Sequence, residues 1–219
     1  MNIHLAGLCS LAELLKLDPV ADRKHEVAAR AERGAKREAI LEAALELFAS
    51  RGFDGTPIPM IAEQAGVSPG TIYLYFDSKE ALVNALFQQW YSVFHDTVFE
   101  GFSFDAPPRE HLHVVWQRRA QLARKHPVAA AFIELHYHSP YLDSASRALI
   151  QAAVETGKEY VARNIGSGTM KSLQPEVIIA IVDGMFVGIM KASRQGRFEL
   201  TQEIVDAAEE SCWEAIRSR

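Results

Sequence analysis

Residues 56–82, TPIPMIAEQAGVSPGTIYLYFDSKEAL, restrict the fold more than any other stretch, because glycine and proline divide them into runs long enough only for short helices. Thr56 suits an N-cap and Pro57 the first helical position, where the missing N–H costs nothing. Ile58, Ile61, Ala62 and Ala65 lay a narrow apolar stripe at helical spacing, and Gly66 stands where a left-handed C-cap residue ends a helix. Pro59 steers Ile58 away from helical angles, so an irregular first turn is expected. After Val67, which plugs the turn, Ser68 and Pro69 repeat the cap-and-proline start. Ile72 and Phe76, four apart, face the core together, which leaves the hydroxyls of Thr71, Tyr73 and Tyr75 outward. Asp77 and Glu80 pair as a capping box for a third helix, with Lys79 in its first turn.

Helix, glycine turn and second helix make the helix-turn-helix pattern, whose second helix enters the major groove of DNA by its N-terminal residues. The same spacing also suits two packed helices of an ordinary all-α domain, and spacing alone leaves both open. Upstream, Ile40, Leu41, Ala44, Leu45 and Phe48 form an amphipathic helix that stops at Arg51-Gly52, with Phe53 placed to pack back on it.

Taken together, these residues resemble the DNA-binding signature of the TetR family of bacterial transcription regulators. The match runs without a gap through Ile61, Ala62, Ala65, Gly66, Val67, Ser68, Gly70, Thr71, Ile72, Tyr73, Tyr75, Phe76, Lys79, Glu80 and Leu82, with Thr56 ahead of it. The resemblance implies an all-α protein in which an N-terminal three-helix helix-turn-helix domain, residues 35–82, joins a C-terminal helical bundle, residues 83–219, for ligand binding and dimerisation. It further implies that Tyr73 and Tyr75 lie against phosphates and base edges, while Thr56, Ser68 and Lys79 hold the DNA backbone. Pro69, Gly70, Thr71 and Leu74 complete the candidate DNA-facing set on the second helix. Two positions depart from the family: where many relatives carry a basic residue, this chain has Pro59 and Pro69, so no bidentate arginine contact to guanine can come from there.

Charge sharpens that departure. Between Lys36 and Glu80 four basic residues face seven acidic ones, a balance of −3 that suits a phosphate binder poorly. The preceding segment, with Arg23, Lys24, Arg30, Arg33, Lys36 and Arg37, is the local source of positive charge. An arginine-bearing arm in the minor groove is the expectation, with Arg33, Lys36 and Arg37 nearest the domain. The plainer alternative is a solvated charged linker, since Asp22, Glu26, Glu32 and Glu38 are interspersed.

With 219 residues, 48% of them hydrophobic, the chain can bury a substantial core beyond the motif. Leu82, Leu86, Trp90, Val93 and Phe94 extend the helix opened by Asp77, and Gly101 to Pro108 reads as a linker. Further helices are expected from about Arg109 to His126-Pro127, from Pro127 to His138, from a cap at Ser139-Pro140 to about Gly166, from Pro175, and from a cap at Thr201. The run from Val177 to Met190 is apolar nearly all round, which predicts a central buried helix. At fourteen residues, with Asp183 inside it, this run is too short to span a membrane. Gly184 and Gly188 would let another helix approach closely. In the family the last two helices join two subunits, so a homodimer is implied, and with it a near-palindromic double-stranded DNA operator.

The family also places an effector pocket in the C-terminal bundle. Trp116, Phe132, Tyr137 and Met185 are the candidate walls for a small hydrophobic or aromatic effector, although a Met and aromatic stripe at helical spacing is more often packing. His111, His113, His126, His136 and His138 fall in one region, but without HExxH spacing or a nearby cysteine they read as surface or hydrogen-bonded histidines. No Walker or GxGxxG motif occurs, and scattered Ser, His and Asp are uninformative, so the expectation is no catalysis, no cofactor and no metal. The reading is therefore a DNA-binding repressor released by an effector. Its alternatives are a DNA-binding protein of the same fold without a small effector, and an all-α metal protein or enzyme.

Residues 1–34 lie outside the family pattern and are expected to be a flexible extension, or to follow from a translation start placed too early. Within them Ser10 and Glu13 form a capping-box pair ahead of Leu11, Leu14, Leu15 and Leu17, which suits a short helix. The uncharged start and Glu13 argue against a signal peptide, and Leu8 stands where a lipoprotein site needs a small residue before Cys9. Cys9 and Cys212 form no disulfide framework, and a cytoplasmic protein without membrane contact is expected.

Overall fold

The computed structural model describes residues 19–218, with side chains from Arg30 onward. Among the described residues the chain is all-α: α1 (Pro19–Arg51), α2 (Ile58–Gln64), α3 (Pro69–Tyr73), α4 (Lys79–Val98), α5 (Pro108–Lys125), α6 (Pro127–His136), α7 (Ser144–Gly166), α8 (Pro175–Arg194) and α9 (Gln202–Ile216). The only extended pairing among them is an isolated bridge between Met170 and Arg217. No helix among the described residues is long and apolar enough to cross a membrane.

Several helix ends differ from expectation for local reasons. α1 begins at Pro19, so the backbone is helical over residues 19–34, where a flexible extension was expected. Residues 30–38 are exposed, so the alanines and long straight charged side chains of this stretch favour helix by propensity rather than by burial. The expected short helix after Ser10 lies outside the described residues. α2 is capped by Pro57 without a side-chain bond and is helical from Ile58, where an irregular turn was expected, with the Pro57 carbonyl accepting from both the Met60 N–H at 3.0 Å and the Ile61 N–H at 3.4 Å. α4 is capped by Ser78, whose hydroxyl accepts the Ala81 N–H at 3.1 Å, so the cap falls one residue after Asp77. α7 starts at Ser144 rather than at Pro140, because the Asp143 carboxylate accepts the Ser146 N–H at 2.7 Å. Pro175 opens α8, and Thr201 caps α9 as expected, accepting the Ile204 N–H.

Two hydrophobic clusters organise these helices. The first gathers Ile40, Leu41, Ala44 and Phe48 of α1, Ile58 and Ile61 of α2, Ile72 of α3, and Leu82, Val83, Leu86 and Phe87 of α4, and it also takes in Phe132 of α6 and Leu142. The second holds Leu112, Trp116 and Ala120 of α5, Tyr160 and Val161 of α7, Ile178, Phe186 and Met190 of α8, and Val205, Cys212 and Ile216 of α9.

The run from Val177 to Met190 is not buried all round within one chain, which corrects the sequence expectation. Ile178, Phe186 and Met190 face the second cluster, whereas Val177, Ala180, Gly184 and Gly188 are exposed, and a side chain added at either glycine would meet nothing within 4 Å. Apolar residues on all sides of a helix need cover on all sides, and a single chain covers one.

Candidate DNA interface and effector region

The short helices are held in place from below. Gly66, with φ of +66°, ends α2 in the left-handed conformation that glycine adopts at no steric cost. The next residue, Val67, donates its N–H to the Ala62 carbonyl at 2.9 Å, closing the end as a Schellman turn does. Ser68 then caps α3: its hydroxyl accepts the Thr71 N–H at 3.2 Å and pairs with the Thr71 hydroxyl at 2.9 Å. Ile72 and Phe76 are buried, as their four-residue spacing predicts.

That anchoring fixes what α3 presents. Ser68, Pro69 and Gly70 are exposed, Thr71 and Tyr75 are half-buried, and Tyr73 and Leu74 stand out at 54% and 82% exposure. Gly70 keeps the surface low, since an added Cβ would meet only the Ser68 hydroxyl, at 3.8 Å. Arg33, Lys36 and Arg37 are exposed on α1, where Lys36 pairs with Glu32 at 2.7 Å and the Arg37 guanidinium lies 5.4 Å from the Phe76 ring centre.

Thr56 does not belong to this surface. Its side chain is fully buried, and its hydroxyl lies 2.8 Å from the Gly52 carbonyl and 3.2 Å from that of Leu47, both within donating distance, so it closes the end of α1 instead of reaching a phosphate. Lys79 is partly occupied in the same way: its ammonium donates to the Phe53 carbonyl at 2.9 Å and sits 4.0 Å from the Phe53 ring centre. A threonine before a proline reads as an N-cap in any sequence. Only the fold reveals that its hydroxyl turns back nine residues.

The DNA side and the C-terminal half are joined by buried polar groups, His136, which the sequence placed among surface or hydrogen-bonded histidines, and Asn84, which it did not single out. His136 is fully buried, and because the Phe48 carbonyl can only accept, Nε2–H donates to it at 3.3 Å while Nδ1 accepts from the Tyr141 hydroxyl. Burial holds the imidazole below its ordinary range despite the bond to Phe48. Tyr141 also stacks on Phe53 with ring centres 4.2 Å apart. Beside it the buried Asn84 amide donates to the Glu80 and Tyr141 carbonyls, both at 2.8 Å, and accepts from the Asp143 N–H at 2.9 Å and the Ser146 hydroxyl at 2.7 Å. This satisfied amide ties α4 to the start of α7.

The proposed effector walls do not converge. Trp116 is buried in the second cluster, donating to the Val205 carbonyl at 3.0 Å and meeting Phe186 edge-on, while Phe132 is buried in the first against Phe48 and His136. Met185 packs on the second cluster and Tyr137 borders the first. Trp116 and Phe132 are therefore packing residues of different cores, a correction that composition alone could not supply. The histidines are likewise dispersed: His111 lies among Phe102 and Tyr160, His113 bonds to Glu209, and His126 packs on Trp90.

A three-helix unit that exposes one face of a capped short helix, set on a helical bundle, defines a helix-turn-helix DNA-binding protein with a separate C-terminal half. Residues 40–86 match the profile described as bacterial regulatory proteins, tetR family, and residues 87–218 match the tetracyclin repressor-like C-terminal domain. The chain belongs to the TetR family of transcription regulators. It is 29% identical over 150 residues to the HTH-type transcriptional regulator RutR of Escherichia coli K12, covering 68% of this chain and 70% of RutR. Its fold is similar to a TetR family transcription regulator from Marinobacter aquaeolei VT8, with 26% identity, a TM-score of 0.74, and coverage of 87% of this chain and 100% of that one. It is also similar to AibR, solved in complex with isovaleryl coenzyme A and operator DNA, with 25% identity, a TM-score of 0.66, and coverage of 81% and 96%. The family is one of regulators rather than of enzymes.

Proposed function

We propose that this TetR-family regulator is a cytoplasmic repressor that binds a near-palindromic operator as a homodimer and leaves it when a small hydrophobic or aromatic effector binds its C-terminal half. In this reading residues 35–82 meet DNA and residues 83–219 carry the dimer contact and the effector. The observation that carries it is α3: its inner residue Ile72 is fully buried while Tyr73 and Leu74 stand in solvent. Ser68, Pro69, Gly70, Thr71 and Tyr75 complete that face, with Lys79 beside it and Arg33, Lys36 and Arg37 adding charge from α1. The exposed residues of α8 support the dimer, since Val177, Ala180, Gly184 and Gly188 form an uncovered small and apolar stripe. AibR, solved with both an acyl-coenzyme A and operator DNA, supports an effector acting on DNA binding.

Selection of bound fragments from genomic DNA tests the whole reading. A palindromic site with half-sites about 34–36 Å apart is expected, and recovery of no such site counts against it. On the selected operator, Tyr73→Phe should weaken binding about three- to tenfold through the lost hydroxyl bond. Sedimentation should show two chains, and a monomer at micromolar concentration would remove the homodimer.

A further inference from the structure

The two hydrophobic clusters meet across a polar seam. α8 packs on α7 and α9, and it reaches α5 and α6 through long charged side chains: Arg119 of α5 to Asp183 at 2.6 Å, and Arg194 to Glu134 of α6. The Arg119 guanidinium carbon also lies 4.2 Å from the centre of the Phe186 ring, a cation–π contact beside the bond to Asp183. From the other side come Tyr91 of α4 and Tyr137 after α6, their ring centres 6.3 Å apart and both within electrostatic reach of Arg119 and Asp183. These four groups come from four separate parts of the chain. Sequence reading named only Tyr137 among them as a wall.

The members of the Arg119–Asp183 pair are unequal. The Arg119 side chain is 22% exposed and that of Asp183 is 53% exposed, so the cation is the inner member and the carboxylate the outer, movable one. Asp183 accepts from one terminal nitrogen of Arg119, whose guanidinium fork matches a carboxylate in two places. Both tyrosines are protonated at neutral pH: burial, and after it the Tyr137 phenol and Asp183 carboxylate for Tyr91 and the Asp183 carboxylate for Tyr137, push both above the ordinary range.

We propose that the effector is a small organic acid, its carboxylate taking Arg119 in place of Asp183 with the Tyr91 and Tyr137 hydroxyls beside it, and its apolar body lying against Phe186. This rests on the reading that an effector binds the C-terminal half. One guanidinium and two neutral phenols suit a single negative charge better than a phosphate dianion, and Asp183 already shows that a carboxylate fits the fork. The seam lies where α4 and α6, which belong to the core beneath α3, meet the bundle of α5 and α8. A ligand seated there has different contacts in different arrangements of the two halves, which is the requirement for shifting between them.

Calorimetric titration of the full chain with matched probes tests this: benzoate against benzamide and benzylamine, and hexanoate against hexanamide and hexylamine. One or both acids should bind at least about tenfold more tightly than their amides. Asp183→Asn should tighten the acid further by removing its competitor, and Arg119→Gln should erase the difference between acid and amide, with circular dichroism showing that each variant folds. Equal or better binding of amide or amine, no binding of either acid, or acid preference that survives Arg119→Gln overturns the proposal. Release of operator DNA by a neutral compound from a wider screen would keep the effector reading while removing the acid.

Discussion

The two halves of this chain differ in how completely a single copy closes them. Around α1 to α4, Ile40, Phe48, Ile61, Ile72, Leu82, Val83 and Phe87 are all at 0% exposure, and the short helices owe their positions to that packing. The C-terminal half is looser in design: α8 buries one side and exposes another, and charged pairs join the Trp116–Phe186 contact in linking it to α5 and α6. A closed core holds a DNA-facing surface in one shape. A core with a polar seam and an uncovered stripe has surface left for a second chain and for a ligand. The membership of α6 runs against chain order, because Phe132 and His136 belong to the closed half although they follow α5.

That membership is the point to attack first. Phe132→Ala should destabilise the chain by about 3–5 kcal/mol, the cost of emptying a buried aromatic site, and the loss should show in unfolding of the DNA-binding half. Urea denaturation followed by hydrogen exchange at α1 checks it, and unchanged protection there would assign α6 to the other half. Asn84→Ala should cost less, about 1–3 kcal/mol, because it strips the Asp143 N–H and the Ser146 hydroxyl of an acceptor. Its denaturation midpoint is the measurement, and a change indistinguishable from zero would mean that water replaces the amide.

Acidification probes the same joint more gently. Burial keeps His136 and His111 less protonated in the folded chain than in the unfolded one. The unfolded chain therefore gains protons first, so the contribution is complete above about pH 6.5 and is lost as the pH falls below it toward the lower folded values. Stability measured at pH 7.5 and 5.5 should drop, and less steeply in His136→Gln. An identical slope in that variant would clear His136 of any part. The smallest effect is expected on the exposed part of α1: Lys36→Ala should lower the salt dependence of DNA binding by about one unit of slope, and no change would make that stretch a solvated helix only.

Helix-level features were legible in the sequence where one residue type has one dominant local use. Gly66, Ser68, Pro175 and Thr201 punctuate the structure where their chemistry says they should. Legibility fell where two residues compete for one role: Asp77 and Ser78 both suit a cap, and so do Ser139 and Asp143, of which Asp143 is held by its N–H bond to Asn84. Thr56 was misread because its partners are carbonyls of the preceding helix, a three-dimensional fact. The candidate effector residues were chosen for aromatic character, which Trp116 and Phe132 share while sitting in different cores. Arg119 and Asp183 were passed over because 64 positions separate them. One signal was available, since an aspartate inside the apolar run 177–190 needs a cation or water, and searching α5 for that cation would have found Arg119.

The placement of the three tryptophans follows the same division and has an optical consequence. Trp90 lies on the outer half of α4, Trp116 is buried in α5, and Trp213 packs on the second cluster from α9, so no indole stands before residue 90. Native emission of this chain is thus a reporter of its C-terminal half and its boundary, while the operator-facing helices carry only tyrosine. An engineered indole in α2 or α3 would let one cuvette follow both halves separately.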